Sequence, residues 1–227
     1  MAPKSGRKAA PDSASTSLET ANAVYFYGQR DPRFGCLSNF HPCRFTDEHG
    51  QAFFSSEQYF MKKKQETFDP ANRALAVAIL KAKSPPVAKK LGRQVANYDE
   101  QVWTEKRYGV MVDALKRKFA SDEQLQDVLL ATEHKRLYEA SRQDAVWGIG
   151  VSVTKIQELF RESRKFRETG DLDAETRAGW FGSNLLGKAL EETRSWLISS
   201  IGEQPKPLLD RVEETRGGDD PDEAKAE

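Results

Sequence analysis

The first dense apolar run of the chain is Val24-Tyr25-Phe26-Tyr27, β-branched and aromatic and closed by Gly28, which predicts an early strand. Residues 43–46 and 51–54 flank the polar stretch Asp47-Glu48-His49-Gly50, so the two short runs predict a hairpin. After that the period changes from two to nearly four. Ser55-Ser56-Glu57-Gln58-Tyr59-Phe60 opens a helix: Ser55 and Gln58 have capping-box spacing, and Phe54 and Tyr59 the spacing of a hydrophobic staple. Residues 72–83 form an Ala/Leu/Ile helix stopped by Ser84-Pro85-Pro86, because a proline cannot donate to a continuing ladder. A short helix over 86–92 is closed by Gly92. A long one over 99–119 carries Val102, Trp103, Met111, Ala114, Leu115 and Phe119 at helical spacing. Asp122 caps a helix over 123–130, residues 136–140 make a short strand before a turn at Asp144, and 185–201 is the last helix. Strands first, then many helices with isolated strands, predict an α+β fold: a mostly helical single domain with a small β-sheet rather than a doubly wound one.

Composition sharpens the ends. Residues 1–21 and 202–227 hold little that can be buried and read as flexible tails, the second ending acidic, around a domain over 22–201. Within it, 151–180 is charged, with Ile156, Leu159 and Phe160 on one helical face, and reads as an elaborated arm. The 227 residues carry 35 Lys and Arg against 35 Asp and Glu, so there is no global basic field and any polyanion must be met locally. Cys36 and Cys43 lack a second Cys or His pair at zinc spacing; no metal site is expected, and a reducing compartment suits the thiols. The N-terminal residues have no apolar core of signal-peptide length, and no apolar run reaches membrane length. The expectation is an intracellular, cytoplasmic protein; Lys4, Arg7 and Lys8 read either as a solvated tail or as a weak nuclear address. Oligomeric state is left open.

Familiar active-site words are missing: no third glycine after Trp147-Gly148-Ile149-Gly150, no phosphate-binding GxxxxGK[ST] loop, no HExxH and no GxSxG. His41, His49 and His134 are scattered and read as surface residues. Four stretches carry candidate chemistry. Leu37-Ser38-Asn39-Phe40 sets two small polar side chains between apolar anchors, either a binding loop or an Asx turn at a strand edge. The stretch from Leu137 through Glu139, Ser141 and Asp144 to Trp147-Gly148-x-Gly150 ends in an aromatic plate and a flexible loop. Gly182-x-Asn184-x-x-Gly187 opens a helix whose free N–H groups suit a phosphate. The fourth is the helix of Glu57 and Lys64, seven residues apart, or about 700° of rotation and about 10 Å of rise, so the two share a face with Phe60 and Met61 between them. Glu57, in the first turn, is favoured as a carboxylate by the helix dipole; acting as an acid would need burial to raise its pKa. Lys64, against an apolar wall, could be a nucleophile. The alternative for both is a dipole-stabilising Glu and a solvated lysine run.

Phe26-Tyr27, Leu37-Ser38-Asn39-Phe40, Ser56-Glu57-Gln58-Tyr59-Phe60 with Lys64, Gly92-Arg93, Trp103, Lys118-Phe119, Leu130-x-Thr132, Glu139, Asp144-x-x-Trp147-Gly148-x-Gly150 and Asn184-x-x-Gly187 together resemble the NADAR family, which includes the bacterial YbiA-like proteins, over about residues 24–198. The resemblance implies an N-glycosidase without metal or cofactor. Some members hydrolyse phosphorylated ribosylamino-pyrimidine intermediates of riboflavin synthesis; others remove ADP-ribose from guanine in nucleic acid or nucleosides. It implies Glu57 and Lys64 as the catalytic pair, through a lysine Schiff base, or Glu57 or Asp144 activating water. Around them it implies Ser38, Asn39, Phe40, Tyr59, Trp103, Trp147, Gly148, Gly150 and Asn184; phosphates would need cations and backbone donors, for which Arg30 or Arg33 beside the Asn39 loop, Lys118 and the Asn184 helix start are the candidates. The longer 151–180 stretch and both ends depart from compact members, and favour ADP-ribosylated guanine, in DNA or RNA included, as the partner substrate; a non-catalytic ADP-ribose reader is the other class.

Overall fold

The structure, a computed structural model, describes residues 16–202. The basic cluster at Lys4, Arg7 and Lys8 and the acidic end lie outside the described residues. Strand β2 (Ala23–Phe26) sits at the centre of a three-stranded sheet, antiparallel to β1 (Ser17–Glu19) and parallel to β5 (Arg136–Glu139). Between the parallel strands run a 3-10 turn (Gly35–Leu37), the hairpin of β3 (Phe45–Thr46) and β4 (Ala52–Phe53), and five helices: α1 (Ser56–Phe68), α2 (Arg73–Leu80), α3 (Pro85–Gly92), α4 (Glu100–Ala120) and α5 (Glu123–Leu130). Three short helices follow β5, α6 (Val153–Glu162), α7 (Arg164–Thr169) and α8 (Ala174–Trp180), before the terminal α9 (Leu185–Gly202). The architecture is α+β, as the order of patterns predicts.

The reason β2 reads as an unbroken apolar run is that both faces of the strand are covered. Val24 and Phe26 join Leu37, Phe60, Leu115, Phe119, Leu137 and Leu190 in the main core under α1, α4 and α9. Ala23 and Tyr25 face the other way, onto Tyr138, Ile156, Phe166 and Leu172. The charged 151–180 stretch is therefore the second layer of the domain: its apolar stripe covers the sheet, and Asp171 fastens it there by accepting from the hydroxyls of Tyr25 (2.7 Å) and Tyr138 (3.4 Å) and pairing with Arg177 (2.5 Å).

One boundary moves. Residues 17–19, expected in the flexible N-terminal tail, form β1. The strand is held by its backbone ladder and by Thr20, whose hydroxyl accepts from Ala23 N (3.0 Å), with only Leu18 contributing apolar surface. A strand secured by main-chain bonds leaves little hydrophobic signal. No helix among the described residues is long and apolar enough to cross a membrane.

Candidate active site

A cavity of about 600 Å³ opens beyond the carboxyl ends of the parallel strands β2 and β5, a volume usual for a small-molecule site. Its walls are the turn after β2 (Tyr27, Gly28, Gln29), the loop Ser38-Asn39-Phe40, the start of α1, the outer side of α3 and the loop leaving β5.

Glu57 occupies the second position of α1, and the local sequence fixes it there. Ser55 caps the helix by accepting from Gln58 N (3.1 Å). The reciprocal half of the capping box is shifted by one residue: Gln58 Oε1 accepts from Phe54 N (2.9 Å), not from the cap residue, and its Nε2 donates to the Ile79 and Leu80 carbonyls at the end of α2 (3.0 and 2.9 Å). The expected staple is shifted as well, since Tyr59 meets Phe53 and Phe45 at 4.9 and 5.9 Å. With the helix start held at both ends of Gln58, Glu57 points inward and is only 3% exposed. Its backbone N–H donates to the Asn39 carbonyl (3.0 Å), and its Oε2 accepts from Asn39 Nδ2 (2.6 Å). The other oxygen, Oε1, is buried without a hydrogen-bond partner among the described residues.

A buried carboxylate with one oxygen unsatisfied is costly to ionise. Burial overrides the helix dipole and pushes Glu57 up to about 7, with Asp144 adding to the rise and Lys89 and Arg93 opposing it. Glu139, at the end of β5, is lifted to about 7 in the same way, by burial first, then by Asp144 and Glu57, with Lys89 opposing. Glu57, Glu139 and Asp144 thus form one acidic cluster, and Glu139 is the residue that pattern reasoning left without a role. Its signal was weak: a carboxylate closing a strand, legible only as one polar residue in a run of several.

An asparagine holds each of the two residues, Asn39 at the carboxyl of Glu57 and Asn184 at the backbone of Glu139. Asn184, expected to touch substrate, lies off the cavity: its Oδ1 accepts from Glu139 N (3.1 Å) and its Nδ2 donates to the Leu137 carbonyl (2.8 Å), so it fixes the end of β5. It does so from a left-handed backbone (φ 50°), and Gly187 is required beside it because a Cβ there would collide with the Leu137 carbonyl and Asn184. Asp144 lines the cavity while its Oδ1 accepts from Val146 N and Trp147 N (2.9 and 2.8 Å), a turn that presents Trp147 to the cavity edge-on to Phe60 (5.2 Å). Gly148 and Gly150 shape that loop without lining the cavity. A Cβ at 148 would strike the carbonyls of Glu139 and Asp144.

Opposite the acids stand Lys89, Lys90 and Arg93, on the turn of α3 and just past its end. None of the described carboxylates forms an ion pair with them. They are the second set pattern reasoning missed, because an Ala/Lys helix looks solvated unless its neighbours are known.

Lys64 is a correction. It shares a nominal face with Glu57 but not the cavity: its Nζ lies 4.0 Å over the Tyr98 ring, and burial there lowers its pKa. The cause is the crossing of α3 on α1 at Gly92, where a Cβ would collide with the Met61 sulfur. That close crossing ends the cavity at Met61, one turn short of Lys64. Five more expected residues fall outside the cavity. Trp103 is core, packed on Phe60 (4.9 Å); Tyr59 turns to the hairpin and donates to Asp113. Arg33 pairs with Glu19 over the Phe34 ring, and Arg30 is solvent-exposed. Lys118 is wholly buried and donates to the Cys36 and Ser38 carbonyls. The cations that line the cavity come from α3 and its C-cap instead. Ser38, Asn39, Phe40, Glu57, Asp144 and Trp147 are the expected residues that line one cavity. Among the described residues, no three His, Cys, Asp or Glu side chains are grouped to hold a metal ion.

The NADAR domain profile matches residues 25–198. A protein of Acanthamoeba polyphaga mimivirus named N-glycosidase is 27% identical over 183 residues, 78% of this chain and 97% of its own. A riboflavin biosynthesis protein of Vibrio vulnificus is 35% identical over 145 residues, 64% of this chain but 38% of that longer one. The NMR structure of the Escherichia coli protein YbiA superposes with a TM-score of 0.59 at 25% identity, covering 84% of this chain and 93% of that one. The match runs from within β2 to within α9 and takes in every wall of the cavity, and the chain belongs to the NADAR family.

Proposed function

We propose that the chain is an N-glycosidase that hydrolyses the ribose C1′–N bond of ADP-ribosylated guanine, in a nucleoside or within DNA or RNA, and releases ADP-ribose. The observation that carries the reading is Glu57: one oxygen held by Asn39, the other buried without a partner, in a cavity shared with Glu139 and Asp144. Two carboxyls in one cavity, both raised to about 7, hold about one proton between them at neutral pH. That is the state glycosyl hydrolysis requires. The protonated carboxyl gives its proton to the departing base nitrogen as the C1′–N bond breaks. The ionised one takes a proton from the water that attacks C1′, leaving a hydroxyl on the sugar and the pair again with one proton. Asp144 adds negative charge beside the oxocarbenium-like centre. Lys89, Lys90 and Arg93 suit the phosphates, and Tyr27, Phe40 and Trp147 offer aromatic surface to the base. Both Glu positions act without Lys64, so the water route replaces the Schiff base through that residue.

The name of the mimivirus relative supports the bond class, and that of the Vibrio relative, a riboflavin biosynthesis protein, favours the second substrate implied by the family resemblance, a phosphorylated ribosylamino-pyrimidine. The test is turnover of ADP-ribosylated guanosine beside that pyrimidine. The proposal expects ADP-ribose release to be the faster; preferential cleavage of the pyrimidine would reassign the substrate, and absence of turnover on both would leave a binding module.

A further inference from the structure

We propose that Lys118 is a positioning residue for Glu57, acting through the Ser38-Asn39 loop; the inference rests on the glycosidase reading for its kinetic part. Lys118 lies on α4 with no surface exposed and does not line the cavity, so it does not touch substrate. Its Nζ donates to two carbonyls of the loop, those of Cys36 and Ser38, the second at 2.9 Å. The next residue is Asn39, whose carbonyl accepts from Glu57 N (3.0 Å) and whose Nδ2 donates to Glu57 Oε2 (2.6 Å). One buried amine therefore fixes the peptide bond that leads into Asn39, the residue from which both bonds to Glu57 originate.

The group is a costly choice for merely bracing a turn. Among the described residues no carboxylate pairs with Lys118, and burial lowers its pKa, so the side chain sits there against a desolvation penalty that its hydrogen bonds must offset. An apolar side chain would fill the same space, but it would leave two carbonyls pointing into the core without donors. A carbonyl left without its donor turns away, and the loop residue that follows turns with it. The Ser38 hydroxyl, which accepts from Phe40 N (3.2 Å), anchors the far side of Asn39 and lines the cavity, so the loop has a fixed point on either flank.

The experiment uses the full chain with Lys118→Met, read by kcat and KM on ADP-ribosylated guanosine and by the Asn39 side-chain amide signals in isotope-labelled protein. The expected result is a fall in kcat of about 100-fold, as misplacement of a reacting group by an ångström gives, with KM within about twofold. The Asn39 amide proton, shifted downfield by its carboxylate acceptor in the parent, moves to an ordinary position. In an Asn39→Ala background, Lys118→Met adds less than about twofold, because the two act along one path. A bracing role alone would lower stability, leave the Asn39 signal in place and multiply fully with Asn39→Ala; that result overturns the proposal. Should Lys118→Met fail to fold, Lys118→Gln, which keeps two N–H donors on a shorter stem, is read in the same way with a smaller expected fall in kcat. If the parent does not turn over this substrate the glycosidase reading fails, while the Asn39 signal still decides the positioning.

Discussion

Asn39 holds Glu57 at two points, its carbonyl accepting from the backbone N–H at 3.0 Å and its side-chain amide donating to Oε2 at 2.6 Å. The clamp leaves the other carboxylate oxygen with no partner but whatever enters the cavity. Asn39→Asp replaces the donor with a like charge at hydrogen-bond distance, which favours the protonated form of Glu57. The limb of the kcat/KM profile that reports this carboxyl is expected to move up by roughly one pH unit, and a pH-rate comparison of the two proteins reads it.

Stability should carry the same signature. Burial raises Glu57 from an unfolded value of about 4.3 to about 7, so between those limits the folded state binds more protons than the unfolded one, and stability falls as pH rises. The contribution is whole below the unfolded pKa and is gone above the folded one. Glu57→Gln removes the titration: the variant is expected to gain on the parent by up to roughly 3 kcal/mol at pH 8 and to show no advantage at pH 4, measured by urea unfolding at both. The gain comes with lost activity, as expected where a site stores an unfavourable charge.

How the sequence led to part of this can be read residue by residue. Tyr25 and Phe26 announced a strand, which the fold covers on both faces, and Ser55, Asn72, Asp99 and Asp122 each cap a helix by accepting from a backbone N–H of its first turn. Asn39, Glu57, Asp144 and Trp147 were recognised as site residues and line one cavity. What local pattern could not carry was the crossing of α3 over α1. A helical wheel places Lys64 beside Glu57, but which stretch of that face meets a cavity depends on where Gly92 lets another helix lie. The same crossing brings Lys89 and Arg93 in as the site's cations and leaves Lys118, which looked like one, inside the core. Glu139 and Asn184 become partners only when β5 pairs with β2 and α9 docks behind it.

Lys64 offers a clean contrast. It rests on Tyr98 outside the cavity, and the proposed water route gives it no part in bond cleavage. Lys64→Met is expected to keep kcat within about threefold of the parent, as for a substitution remote from the reacting groups. Borohydride added during turnover should leave no adduct at this position in the mass spectrum of the peptide.

The cations of α3 should behave differently from the acids. Lys89 and Arg93 face the cavity from one turn, four residues apart, where they can hold phosphate oxygens in ground and transition states alike. Lys89→Ala and Arg93→Ala are each expected to raise KM by about 10-fold with a smaller change in kcat, the pattern of lost uniform binding. Steady-state kinetics separates this from the kcat losses expected at Glu57 and Glu139.

The decisive measurement is single-turnover release of ADP-ribose from ADP-ribosylated guanosine by the parent, Glu57→Gln and Glu139→Gln at pH 7. Loss of about 100-fold or more in each variant, with substrate binding retained, is the predicted result for two carboxyls sharing one proton. Release at the parent's rate by either variant would contradict it.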